Sequence, residues 1–244
     1  MVQIPKKINF DFSGPDSTNK ADGSASLSSS NGFAPGSDIS VSDSKIAKLG
    51  AQNAKSSTEM QNLALEHRKI QDFMQPKSLI DEFNIKEGYK VVEFGSGHGS
   101  ISLTLAKSHP EAEFYAVEVQ KDLLLKMLKE AKEMHLSNIK AVWGDVEQKM
   151  GAKLADNFAN LVFFVNSLFQ IEDKKSALLE AKRILKQNAE LLLVDWKKDA
   201  PVGPDVNHRI DKNDLLEMMQ ELGFLFTSEK DVSGTHFLLH FVKK

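Results

Sequence analysis

The sequence predicts an α/β fold, a doubly wound sheet with helices on both faces, from three observations. In residues 90–107 an apolar pair, Val91 and Val92, runs into Glu93. Three glycines at alternate positions follow, Gly95, Gly97 and Gly99, and then an apolar pattern suited to a helix. After that turn, strand-like and helix-like segments alternate along the chain, as in a sheet built from repeated strand–helix units. The chain closes with two strand-like segments around Ser233-Gly234, which implies an antiparallel strand inserted at one edge.

Each element has its own reason. Residues 13–44 are dominated by Ser, Gly, Pro, Asp and Asn, with isolated apolar residues such as Phe33 and Ile39. Such a segment buries too little apolar surface to offset roughly 1–2 kcal/mol of ordering per residue. Residues 1–56 are therefore expected to form a disordered tail, and 57–244 the folded domain. Met60, Leu63, Ala64, His67, Ile70 and Met74 recur at helical spacing until Pro76, and a short helix over 77–83 leads to a turn at Glu87-Gly88.

Beyond the glycine turn, strands are predicted over 113–118, 139–143, 161–165 and 190–196, that over 161–165 apolar enough to be buried on both faces. Helices are predicted over 121–135, 173–185 and 211–222, the last stopped by Gly223. The final strands cover 224–230 and 236–242.

Composition narrows the chemistry. Net charge is −3 and there is no cysteine, so cysteine-ligated zinc, thiol nucleophiles and disulfide scaffolds are excluded. No general basic field draws the chain to nucleic acid or to anionic membrane, although Lys121, Lys126, Lys129 and Lys132 form a local basic face. No apolar run approaches the roughly 18 residues of a membrane span, and the first residues lack a signal-peptide core. A cytoplasmic location is the expectation.

In an open α/β sheet the ligand lies beyond the carboxyl ends of the strands. Four features fall there. The glycine turn leaves backbone donors of a helix N-terminus facing a ligand. Glu118, ending the second strand, is placed to accept both hydroxyls of a ribose. Asp145 ends the third strand where an adenine amino group would lie, and Asn166 follows the fourth, toward the reactive end. Each alone also has a structural explanation as a packing glycine, a solvated acid, a turn residue or a helix cap. Together, in order at consecutive strand ends, they define a candidate nucleotide-type site.

The glycines are spaced G-x-G-x-G with Glu93 two residues ahead, not G-x-G-x-x-G as in nicotinamide sites. The pattern E-x-G-x-G-x-G resembles the cofactor motif of class I S-adenosylmethionine-dependent methyltransferases. The resemblance runs from about Phe73 to the C-terminus and implies a seven-stranded sheet in the order 3-2-1-4-5-7-6, strand 7 antiparallel. It implies S-adenosyl-L-methionine as cofactor, with Glu93, Phe94, Gly95, Ser96, Gly97 and Gly99 around the methionine part. Glu118 and Val119 then match the ribose end, Gly144, Asp145 and Val146 the adenine, and Asn166 the reactive end. The usual Lys-Pro-Gly-Gly turn before the fifth strand is replaced by Lys186-Gln187-Asn188-Ala189, with Asn188 able to turn left-handed. Asn166-Ser-Leu-Phe-Gln170 also departs from the Asn-Pro-Pro-Tyr type signature of enzymes that methylate amino groups of bases or glutamine.

In-line methyl transfer needs positioning more than acid or base, so no catalytic triad is expected. Asn166, His208 and Arg209 are the catalytic candidates, and Phe169, Trp196, His208 and Arg209, with the 60–73 helix, the expected walls of the acceptor pocket. No metal site is expected. A small-molecule acceptor is favoured, in a monomer or homodimer, with nucleic acid not indicated. RNA or protein acceptors and a non-catalytic cofactor-binding module are the alternatives.

Overall fold

The computed structural model describes residues 79–244. The expected tail over 1–56 and the helix over 60–73 lie outside the described residues. The elements are β1 (Lys90–Phe94), α1 (Ser100–Ser108), β2 (Glu113–Glu118), α2 (Lys121–Glu133), β3 (Ile139–Trp143) and β4 (Ala159–Val165). They continue with α3 (Lys174–Ile184), β5 (Leu185–Trp196), α4 (Lys212–Glu221), β6 (Phe224–Val232) and β7 (His236–Lys243). One sheet contains all seven strands in the order β3-β2-β1-β4-β5-β7-β6. Strands β1 to β5 run parallel, and β7 lies antiparallel to both β5 and β6.

Successive strand residues point to opposite faces, and both faces are covered, so β1 is apolar at both Val91 and Val92. Val91, Phe114, Phe163 and Val194 pack with α1 and α2, whereas Val92, Phe164, Leu193 and Phe237 pack with α3 and α4. The β6–β7 hairpin turns through Ser233, Gly234 and Thr235, with Ser233 and Gly234 at positive φ (56° and 72°).

Two local expectations need correction. The helix expected over 77–83 ends at Ile80 and gives way to a turn. Strand β5 begins at Leu185, directly after α3, with no separate turn over 186–189. Leu185 pairs with Ala159 and Glu190 with Leu161, so the intervening β5 residues loop out opposite Asn160. Asn188 carries the bend at φ 60°, and Asn160 Oδ1 accepts from Lys186 Nζ (2.9 Å) and from the Lys90 N–H (3.1 Å).

The strand ends are tied to one another. The Gly95 and Ser96 amides both donate to the Val117 carbonyl (2.9 and 3.2 Å), joining β1 to β2. Ser167 Oγ donates to the Phe94 carbonyl (2.7 Å), joining β1 to the segment after β4. The loop after β3 is held from below by Glu180 of α3, a buried carboxylate that accepts from the Met150 and Ala152 amides (3.1 and 3.0 Å). Arg183 pairs with Glu180 (2.7 Å) and donates to the Leu154 carbonyl (2.9 Å).

Removing one partner of such a buried pair leaves the other uncompensated, at a cost of about 3–5 kcal/mol. Glu180→Ala should lower the free energy of unfolding by about that much, read from urea denaturation, and Glu180→Gln by less. An unchanged midpoint in Glu180→Ala would contradict this account of the loop.

Candidate active site

The carboxyl ends of β1, β2 and β4 meet at the glycine turn. Gly95, Gly97 and Gly99 take φ of 70°, 57° and 83°, a region open to glycine and costly for other residues. Space is also short. A Cβ on Gly95 would lie 2.5 Å from Ser167 Cβ, and one on Gly99 2.3 Å from Met127 Cγ. The turn is thus clamped between the segment after β4 and helix α2.

Glu118 ends β2 with only 7% of its surface exposed. Its Oε2 accepts from the Gly97 N–H (2.9 Å) and its Oε1 from the Gln120 N–H (2.9 Å). The acid and the glycine turn therefore form one unit. Phe94 is buried beneath the turn, and Val119, just beyond the acid, is 57% exposed. Asp145 is half-buried, and its Oδ1 accepts from the Glu147 N–H (3.0 Å) in a turn after β3. Gly144 and Val146 on either side of it are buried.

Asn166 lies at the end of β4 with φ 52°, its backbone N–H donating to the Val194 carbonyl (2.9 Å). Its amide Oδ1 and Nδ2 are buried and unpartnered among the described residues, as is Ser96 Oγ in the glycine turn. An unpaired buried polar group costs about 1–3 kcal/mol, so orphaned groups at adjoining strand ends need an explanation. A polar ligand that completes their hydrogen bonds supplies one. A turn with glycine at every second position and the carboxylate beside it fit a nucleoside-type cofactor.

Glu93 lies one strand over from Glu118, on the same sheet face, and is buried. Ser102 of α1 donates to its carboxylate. Burial above all, with a small contribution from the Glu118 charge, raises its pKa to about 8 against the bonds from Ser102.

The acceptor candidates separate. Phe169 is half-buried just after β4. His208 is exposed on the loop after β5. Two expectations are corrected. Trp196 is fully buried, with its ring 4.0 Å from that of His236, and Gly203 sits so close that a Cβ would lie 2.5 Å from Cε3 of the indole. It is a core side chain under the loop and presents no wall to a ligand. Arg209 is buried, and its guanidinium donates to the carbonyls of Lys197, Lys198, Ala200, Val202 and Pro204. Its donors hold the 197–204 loop in shape and are not open to an anion.

Asp195 was not anticipated. It ends the apolar run of β5 beside Asn166, fully buried, and accepts from the Phe169 N–H (3.1 Å) and the Trp196 N–H (2.8 Å). Burial raises its pKa to about 7 despite those two bonds. An acid inside an otherwise apolar strand was the signal available in the sequence.

The fold is that of a methyltransferase domain. The profile of the methyltransferase domain family matches residues 85–223, and the chain belongs to that family. A solved S-adenosylmethionine-dependent methyltransferase from Aquifex aeolicus superposes with a TM-score of 0.67 at 21% identity, over 76% of this chain and 98% of that one. Among curated relatives, a tRNA (guanine-N(7)-)-methyltransferase of Staphylococcus haemolyticus is 36% identical over 154 residues, 61% of this chain and 67% of its own length. One of the same name from Clostridioides difficile is 44% identical over 55 residues, only 22% of this chain and 26% of its own length. Among the described residues no helix is long and apolar enough to cross a membrane.

Glu93 and Asp195 act on stability with the same sign. Each carboxyl has a higher pKa in the fold, about 8 and about 7, than its ordinary 4.5 or 3.8, so the native state holds more protons. Their contribution is complete below about pH 4 and is lost as pH rises through 7 to 8. Glu93→Gln removes one of these titrations. Urea midpoints at about pH 5.5 and 8.5 should fall further apart in the wild type than in Glu93→Gln, and equal differences would contradict a neutral buried Glu93.

Proposed function

We propose that the crevice between Glu118 and Asn166 binds S-adenosylmethionine and that Asn166 holds a purine base, carried by RNA, for methylation at a ring nitrogen. Glu118 is suited to the ribose hydroxyls, the exposed Val119 and the Gly144–Val146 segment to the adenine, and Glu93 with the glycine turn to the methionine end. Bound S-adenosylmethionine supplies a methyl group on a positively charged sulfur, which departs as a neutral thioether without protonation. The chain's task is to align the two partners, a contribution on the order of 7–11 kcal/mol.

The orphaned amide of Asn166 is the observation that carries the choice of acceptor. An asparagine amide has an acceptor oxygen and a two-proton donor nitrogen on one plane. That pair matches the lactam edge of guanine, with Oδ1 accepting from N1–H and Nδ2 donating to O6, while N7 stays open. N7 carries a lone pair and no proton, so transfer to it needs no general base. The names of the Staphylococcus and Clostridioides relatives support the same acceptor class. Asp195 serves this arrangement by fixing the Phe169 amide and so the segment that follows Asn166.

A small-molecule acceptor is the second reading, favoured by the net charge of −3. Methyl-labelled cofactor incubated with bulk tRNA and with a cell metabolite extract separates the two. The proposal expects label in tRNA, released as a methylated guanosine on digestion, and Asn166→Ala should lower kcat/KM for RNA by about ten- to a hundredfold. Label in the metabolites alone would favour the second reading, and an undiminished rate in Asn166→Ala would remove the role given to its amide.

A further inference from the structure

Trp143 ends β3, the edge strand of the sheet, and its side chain is 56% exposed. The indole is nevertheless fixed, because Nε1 donates to the Val119 carbonyl (2.9 Å). Two lysines lie over the ring, Lys121 Nζ at 5.7 Å and Lys153 Nζ at 5.0 Å from its centroid. Attraction between a cation and the ring face accounts for that placement, though at an exposed site it is weak.

These two lysines share one exposed ring and leave their charge unpaired among the described residues. Lys140, Lys197, Lys212 and Lys230 each pair with a carboxylate, Glu113, Asp231, Glu229 and Glu82 respectively. Lys121 and Lys153 make no ion pair among the described residues. An oriented, exposed aromatic ring with two uncompensated cations is complementary to a polyanion that carries flat rings. A protein partner of apolar character would gain nothing from the lysines, and a free phosphate nothing from the indole. Single-stranded nucleic acid uses both, through base stacking on the ring and phosphate contact with the ammonium groups. The patch adjoins Gly144-Asp145, so a chain bound there is continuous with the crevice.

We propose that Trp143, Lys121 and Lys153 form a platform outside the crevice on which an unpaired base of the RNA stacks. The inference rests on the RNA reading above and adds a second contact to it.

The chain has two tryptophans, and Trp196 is fully buried, so quenching by a base of an added strand stacked on an indole reports on Trp143. Bulk tRNA should be titrated into the full chain, reading tryptophan fluorescence and the anisotropy of a labelled tRNA. The circular dichroism spectrum and urea midpoint of each variant serve as folding controls. Expected are quenching on binding in the wild type and affinity lowered about five- to a hundredfold in Trp143→Ala. Lys121→Gln with Lys153→Gln should flatten the salt dependence of log K by about one to one and a half. Binding without quenching, at an affinity that Trp143→Ala leaves unchanged, overturns the platform and leaves the RNA reading intact. No binding of tRNA by the wild type overturns both.

Discussion

Glu118 reaches from the end of β2 to the Gly97 amide, and that bond makes the acid and the glycine turn one structure. The turn can lie so close to the carboxylate because Gly95, Gly97 and Gly99 lack side chains and accept positive φ. Ser167 closes it from the β4 side by donating to the Phe94 carbonyl, and Met127 of α2 fills the space under Gly99. Glu93 stands one strand away on the same face, where burial holds it protonated near neutrality, with a smaller push from Glu118. Glu93 is thus held mainly neutral beside the crevice near pH 7. A cationic ligand would shift that balance toward ionised Glu93.

The flanks of the crevice are stiffened by side chains that serve backbone. On the β3 side Glu180 and Arg183 hold the loop that contains Asp145 and Val146. Gly151 comes so close to the Asp145 carbonyl that a Cβ would lie 1.7 Å from it. On the β5 side Arg209 gathers the carbonyls of the 197–204 loop over the Trp196 indole. Preorganised loops matter for a reaction whose rate depends chiefly on alignment, where small displacements are costly.

Much of this was legible in the sequence, because strand ends, glycines and caps are local signals. The spacing Glu93, Gly95, Gly97, Gly99 marked the turn, and β2 and β3 begin and end at the residues expected for them. Gly223 and Asn188 adopt the left-handed backbone that their chemistry allows. The start of β5 was hidden because a bulge opposite Asn160 is set by the neighbouring strand. Trp196 and Arg209 were misread for a related reason. Which way a loop folds back is decided by its partners, and no periodicity records that five carbonyls will converge on one guanidinium. Asp195 went unnoticed because its partners, the Phe169 and Trp196 amides, belong to backbone brought together only by the fold.

In the proposed function the glycine turn and Glu118 together hold S-adenosylmethionine. Calorimetric titration of S-adenosylhomocysteine and of NAD into the purified protein, alongside Glu118→Ala, tests it most directly. Only the homocysteine compound should bind, and Glu118→Ala should weaken it by roughly ten- to a hundredfold, the loss of a charged hydrogen-bonding partner. Binding of NAD in its place, or an affinity indifferent to Glu118, would contradict it.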